Sequence, residues 1–578
     1  MLGFILSIVV VFFLFIAMIS VAVNSIGKKE VSISNKSILH ITLSQPLLDR
    51  SSANPFDDID LGSFHSKKQP GLNDILSALD KAASDPKISG IYIDVPSLQS
   101  GIASLEELRN AIIKFKKSGK FVYSYADDYS QGAYYLATAS DKIYLNPQGL
   151  ITLNGLSTEL MFFKGTLEKL EIEPEVIRHG KFKSAVETFI LDKMSDENRT
   201  QIAGFIDPIW NHLISKMAEA RKMDVSKIKL IADSLQARDA NKALELNLVD
   251  HLGYYDDFIA DLNTKIGNSK SEKLKLVTLN QYIKSPSSIT KPYSKNKIAV
   301  IYAEGEIGGG EGDDNSIGSD GMAATIREAR LDDKIKAIVL RVNSPGGSAL
   351  ASDVIWREVM LAKKAKPFIV SMGSVAASGG YYISCAADTI VAQPNTITGS
   401  IGVFGLMFNA QNMLKNKLGI TVDTYKTSAY TDLGTVTRAL TTNERAIIQQ
   451  SVDQVYNTFT SRVAEGRKIR QDMVDSIGQG RVWSGIDAKR LGLVDVLGGL
   501  DDAIAIAAKK ANLANYRIKA LPEQKDAMQE IMDGLSGNAE TWFMQEKLGT
   551  DFRFYKASQD IMKIKGIQAR SFYNTEIN

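Results

Sequence analysis

The sequence predicts an α/β protein made of two tandem homologous domains, preceded by one transmembrane helix. Three observations carry that expectation. One segment recurs along the 578 residues at a nearly constant offset, short β-branched runs alternate with amphipathic ones, and the chain opens on a long charge-free apolar run.

That opening run, "MLGFILSIVVVFFLFIAMISVAV", covers Met1–Val23. A helix rising about 1.5 Å per residue over this length crosses a hydrocarbon core of about 30 Å. A cleaved signal peptide starts basic, has a shorter apolar core and ends on a small-x-small site. Here the start is not basic and "VAVNS" is a poor cleavage site, so residues 1–26 are expected to be an uncleaved anchor. Lys28 and Lys29 follow the run, and the positive-inside rule taken literally would put the body in the cytoplasm. The abrupt apolar start carries the further expectation of a missing basic leader, which deprives that rule of its weight.

The repeat is visible in "ADDYSQGAYYLATASDKIYLNP" (Ala126–Pro147) and "GSVAASGGYYISCAADTIVAQP" (Gly373–Pro394), offset by 378 − 131 = 247. Gly132, Tyr134, Tyr135, Asp141 and Pro147 meet Gly379, Tyr381, Tyr382, Asp388 and Pro394, but Gln131 stands where the second copy has Ser378. "ISGIYIDVPSLQSG" (from Ile88) matches "IKAIVLRVNSPGGS" (from Ile335) at the same offset, and "NKALELNLVDHLGYYDD" matches "IDAKRLGLVDVLGGLDD" at 495 − 250 = 245. Such a small drift means two whole domains. The expected division is 1–26 anchor, 30–282 N-terminal repeat, 283–297 linker rich in Ser, Pro and Lys, 298–520 C-terminal repeat, and 521–578 tail.

Within the second copy "KAIVLRV" (Lys336–Val342) reads as a buried strand and "SDVIWREVMLAKKA" as an amphipathic helix with Ser352 as its N-cap. "PFIVSMG" is the next strand, ending near Met372; "SGGYYISCAAD" begins a helix; "DTIVAQP" is strand again. Strand–helix–strand units of this length give α/β layers with largely parallel strands. "GEIGGGEGDD" (Gly305–Asp314) lacks the Gly-Lys-Ser/Thr ending of a phosphate loop and reads as a mobile loop. Beyond 521, "EQKDAMQEIMDGLSG" and "QDIMKIKGIQ" read as a helical tail, either packed on a neighbouring subunit or solvated.

Composition excludes several classes. A net charge of +2 gives no case for nucleic acid. The single cysteine, Cys385, excludes an internal disulfide and a cysteine metal cluster, and in "YYISCAAD" it reads as a buried small hydrophobe.

Ser378 falls where a strand turns into a helix whose first N–H groups are free. It reads either as a helix N-cap or as a nucleophile, with Gly379 and Gly380 admitting a carbonyl close to the backbone. "NSPGGS" (Asn343–Ser348) ends the neighbouring strand and reads as a tight turn or as an oxyanion donor. A serine nucleophile needs a base. All five histidines (His40, His65, His179, His212 and His251) lie in the N-terminal half, so either one reaches across or the base is a lysine with a depressed pKa. "HGKFKSAVETFILDKMS" offers Lys181 and Lys183.

Taken together, "RVNSPGGS", "MGSVAASGGYYIS", "TGSIGVFG", "RVWSGIDAKRLGLVD" and "GKFKSAVETF" resemble the signal peptide peptidase A family in its long, two-domain form. The resemblance runs from about residue 35 to 520. It implies two Clp protease/crotonase-like domains and a membrane-anchored serine endopeptidase with a Ser/Lys dyad that needs no cofactor or metal. The implied nucleophile is Ser378, the base Lys183, the lysine-orienting hydroxyl Ser400, and the oxyanion donors Gly346 and Gly379. The family implies a homotetramer on the extracytoplasmic side of the bacterial cytoplasmic membrane, with remnant signal peptides as substrates. "PSLQSG" in the first copy departs from the glycine pair, which touches only the copy without the serine. The rival readings are a crotonase-like acyl-CoA enzyme and a non-catalytic membrane scaffold.

Overall fold

The structure is a computed structural model describing residues 32–51, 69–98, 100–269, 272–286, 293–524, 566–571 and 576–577. The expected anchor, 1–26, lies outside these residues. Among the described residues no helix is long and apolar enough to cross a membrane.

The two repeats fold into sheets of the same strand order. In the N-terminal half the strands run His251–Leu252, Lys142–Leu145, Phe121–Ala126, Ile88–Asp94, Ser37–Thr42 and Leu276–Thr278, all parallel. The C-terminal half repeats this with Val496–Leu497, Thr389–Ala392, Phe368–Ala377, Ile335–Ser344, Lys297–Glu304 and Arg517–Leu521. Helices cover the sheets, and strands buried on both faces have to be apolar throughout. Phe368–Ala377 is buried at every position.

The residues kept in both copies hold these layers together. The hydroxyl of Tyr134 donates to the Leu248 carbonyl at 2.8 Å, and that of Tyr381 to Leu493 at 2.9 Å. Asp141 accepts from the Val122 N–H at 2.8 Å and Asp388 from Phe368 at 2.9 Å. The two tyrosine links are buried and the two aspartate links sit at the edge of the core, and both copies keep all of them.

A third sheet joins the halves. Its order is Gly312–Asp313, Ser316–Gly318, Glu306–Gly308, Gly346–Ser348, Ile567–Arg570, Val403–Asn409 and Glu173–His179. The last strand comes from the N-terminal half and pairs antiparallel with Val403–Asn409 from Val403↔His179 to Asn409↔Glu173. The halves are also clamped by charge. Arg341, on the C-terminal sheet, donates bidentately to Asp49 at 2.8 and 2.9 Å and to Glu107 at 2.7 Å, all three side chains being buried.

Four expectations need correction. The "GEIGGGEGDD" segment is not a loop throughout: Glu306–Gly308 and Gly312–Asp313 are strands of the third sheet. The helix expected to start at Ser352 spans Ala349–Ala365 and is capped by Ser348, while Ser352 donates back to the Ser348 carbonyl at 2.9 Å. The central strand does not stop near Met372 but runs to Ala377, because Val375–Ala377 gain a second partner in Ile397–Gly399. Most of the expected helical tail, 521–578, lies outside the described residues, and within its described parts Ile567–Arg570 and Glu576–Ile577 are strands rather than helix. Of the expected linker, the first residues still belong to the helix Leu279–Lys284.

Candidate active site

The strand Phe368–Ala377 delivers Ser378 directly into the short helix Gly379–Ser384. Ser378 sits at φ 56°, ψ −112°, a backbone conformation that L residues rarely adopt and that costs about 1–3 kcal/mol. Two hydrogen bonds hold it there: its N–H donates to Gly399 and its carbonyl accepts from Tyr382, both at 2.8 Å. The side chain does not cap the helix, so the N-cap reading of this serine fails. In the first copy the cap is made one residue earlier, where Ser130 accepts from the Ala133 N–H at 3.3 Å. Gln131 there bonds through both ends of its amide to Gly155, at 2.9 and 3.0 Å, and so ties down a loop.

Lys183 arrives from the other half. The strand Glu173–His179 aims the chain at the C-terminal domain, and the Phe182 N–H then donates to Gln479 at 2.9 Å. Lys183 Nζ comes to rest 2.9 Å from Ser378 Oγ and 3.2 Å from Ser400 Oγ. Its side chain is 2% exposed, and burial pushes the amine down to about 7. Among the described residues no carboxylate pairs with it, so the charged form loses its hydration without the return of an ion pair. Lys181, two residues earlier, is exposed.

Ser400 is buried and its N–H donates to the Arg481 carbonyl at 2.7 Å, which fixes the hydroxyl beside the amine. Gly346 and Gly379 are brought together: a Cβ built on Gly346 would lie 2.6 Å from the Gly379 nitrogen. The Gly346 N–H itself donates to Ser344 Oγ at 3.2 Å, within its own turn.

Sequence reasoning missed two glycines that let the chains converge. A Cβ on Gly480 would lie 2.7 Å from Lys183 Cα, and one on Gly402 would lie 2.6 Å from Gly480 and 3.3 Å from Lys183 Cδ. The Gly402 carbonyl also accepts from Ser378 Oγ at 3.4 Å. Nothing in "TGSIGVFG" or "GQGRVW" singles these glycines out, because the need for them exists only once both segments meet Lys183.

No described histidine partners Ser378. His179 is bonded to Asp453 at 2.7 Å and stacked on Tyr456, His212 is bonded to Glu106, and His40 to Asp94. Cys385 is buried, which pushes its thiol up to about 12 and leaves it inert. Among the described residues no group of side chains could hold a metal ion. What the pocket offers chemically is a hydroxyl in contact with an amine that is half neutral near pH 7, beside a glycine turn.

Comparison with known proteins shows the family. The model described as Peptidase family S49 matches residues 114–268 and 360–514, one stretch in each repeat, and that of Clp protease matches 310–398. The chain is 38% identical to "Protease 4" of Salmonella typhi, over 82% of this chain and 77% of that one. It is 35% identical to "Protease 4" of Haemophilus influenzae (88% and 84% covered) and 34% identical to "Serine protease SPPA, chloroplastic" of Arabidopsis thaliana (85% and 72% covered). With both repeats matched and such relatives covered over most of their length, this chain belongs to peptidase family S49, as a serine-type peptidase of two tandem S49 domains with a Clp protease-like α/β fold.

Proposed function

We propose that the protein is a membrane-anchored endopeptidase that cuts apolar, extended peptides, remnant signal peptides among them, through a Ser378/Lys183 dyad. The observation that carries this reading is the 2.9 Å contact between Ser378 Oγ and the buried Lys183 Nζ, an amine with a pKa of about 7.

In the first step neutral Lys183 takes the Ser378 proton as Oγ attacks the scissile carbonyl. Its one lone pair must face Ser378, and an N–H donated to Ser400 Oγ holds it so. The oxyanion that develops would be met by the Gly379 N–H, with the Gly346 turn beside it. The Lys183 ammonium then gives its proton to the leaving amine, the C–N bond breaks, and an ester to Ser378 remains. Deacylation repeats the cycle with water, whose proton goes to Lys183 and then to the departing Ser378 oxygen. No cofactor enters.

Anchoring by residues 1–26, placement of the catalytic domains outside the bacterial cytoplasmic membrane, and assembly as a homotetramer belong to the same proposal. The charge-free apolar run supports the first, and the family resemblance supports the other two. Similarity to a "Putative signal peptide peptidase SppA" of Enterococcus faecium, 36% identical over 33% of this chain, supports the substrate class.

The test compares wild type, Ser378→Ala and Lys183→Ala on a fluorogenic apolar peptide. Each substitution is expected to lower kcat by about 10³-fold or more. Turnover retained in either variant would sink the dyad.

A further inference from the structure

The strand Ile567–Arg570 lies in an unexpected place. It pairs antiparallel with Gly346–Ser348 on one side (Gly346↔Arg570, Gly347↔Ala569, Ser348↔Gln568) and with Val403–Asn409 on the other (Phe404↔Gln568, Gly405↔Ile567). The Ser571 N–H extends the first ladder by donating to the Pro345 carbonyl at 2.8 Å. These flanking strands are the two walls beside Ser378: one carries the glycine turn, the other begins just after Ser400 and Gly402. We propose that Ile567–Ser571 occupies the peptide groove of its own chain as a resident strand, and that substrates bind by displacing it.

The register supports this beyond mere proximity. A Cβ built on Gly346 would lie 2.1 Å from the Ala569 carbonyl oxygen and 2.6 Å from the Gly379 nitrogen, and one built on Gly379 would lie 3.1 Å from that same oxygen. The Ala569 carbonyl therefore sits between the two glycines that flank the reactive serine, where a substrate's scissile carbonyl has to lie. The Ala569 side chain is fully buried in the apolar core of the C-terminal domain, so this position accepts a small residue. Gln568 is buried as well, and Arg570 is held by an ion pair with Glu306 at 2.8 Å. Main-chain pairing supplies affinity without regard to sequence, and buried alternate side chains supply selection, as in peptide recognition by strand addition.

Occupancy has a kinetic consequence. A tethered segment meets its groove at an effective concentration of millimolar order and competes with every free peptide. It raises the apparent KM while leaving the chemistry of the bound substrate alone. Without an occupant, both walls would expose unpaired main-chain edges, an invitation to pairing with other chains.

The role of Ser378 in this picture rests on the proposed dyad, whereas occupancy of the groove does not, and the experiment separates the two. Hydrogen exchange is followed on full-length Ser378→Ala protein, in which the segment stays intact whatever its susceptibility to cleavage. Amides of Gln568, Ala569 and Arg570 should be protected in the free protein. They should exchange at least tenfold faster when a fluorescently labelled Leu/Ala decapeptide saturates the groove, saturation being read by anisotropy. Free exchange of the segment without peptide, or protection that persists at saturation, would overturn the proposal. In otherwise wild-type protein, Ala569→Asp places a carboxylate in a dry site and should release the segment, lowering KM for the fluorogenic peptide at least fivefold. An unchanged KM would count against it. Failure of the dyad has a different signature: peptide turnover that survives Ser378→Ala, whatever the exchange data show.

Discussion

At the scale of single residues, the electrostatics of Lys183 dominate. Burial moves its amine from 10.5 to about 7, so the folded chain gives up this proton near neutrality while the unfolded chain keeps it to about 10.5. In the proposed mechanism the neutral base is the active form, and kcat/KM is expected to rise with pH along a one-proton limb centred near 7. Stability has a matching dependence. Between those two pH values the unfolded chain binds the extra proton, so stability rises with pH across that window and the cost of burying the ammonium is fully present below about 7. Lys183→Met should remove that cost. Urea unfolding at pH 6 should show the variant more stable than wild type by a few kcal/mol, since each tenfold loss of proton affinity on folding is worth roughly 1.4 kcal/mol, and the gain should shrink toward pH 10. Gly480→Ala acts on the same residue by geometry. Its Cβ would fall 2.7 Å from Lys183 Cα, and a fall in kcat of at least tenfold, without loss of fold by circular dichroism, is the expected result. Much of this residue chemistry was legible in the sequence: Ser378 and Gln131 part company in an otherwise matching repeat, and the G-K-x-K-S pattern raised two lysines. Residue chemistry alone left the choice between them open, and only the family resemblance pointed to Lys183. Lys181 and Lys183 differ physically only in burial, and burial is set by the turn that Gln479 and Gly480 impose from the other half.

At the scale of elements, the strand Glu173–His179 does the positioning. Its pairing with Val403–Asn409 fixes how far the N-terminal chain reaches before it turns toward Ser378. Proline at Ile177 would remove a ladder N–H and distort the strand opposite Gly405. Ile177→Pro is expected to lower turnover of the fluorogenic peptide by at least tenfold while leaving the N-terminal sheet, which this strand does not join, intact by hydrogen exchange. The two parallel sheets were legible because strands buried on both faces leave continuous apolar runs, as in "KAIVLRV" and "PFIVSMG". The third sheet was not, since its strands are short, glycine-rich or drawn from opposite halves, and periodicity carries no record of a partner more than two hundred residues away. The tail strand Ile567–Arg570 was hidden for the same reason, because its apolar side chains count only against walls that the rest of the chain builds.

At the scale of the whole molecule, the proposed mechanism divides labour between the copies of the fold: one repeat holds the hydroxyl and the glycine turn, and the other sends across the amine. That division needs the halves locked together, and the Arg341–Asp49–Glu107 cluster is a buried link that helps the third sheet do it. Burial alone would lower the Arg341 guanidinium, but the two carboxylates outweigh it and raise it. Arg341→Ala leaves both carboxylates buried without their cation and should cost about 3–5 kcal/mol in chemical denaturation. The central claim is that Lys183 activates Ser378 across the two halves. It is tested most directly by the rate at which a fluorophosphonate labels Ser378 as a function of pH, read by intact mass. Wild type should label along a limb centred near pH 7, and Lys183→Ala should label about 10²–10⁴-fold more slowly with that limb gone. Labelling of Lys183→Ala at the wild-type rate, or along the same limb, would contradict it.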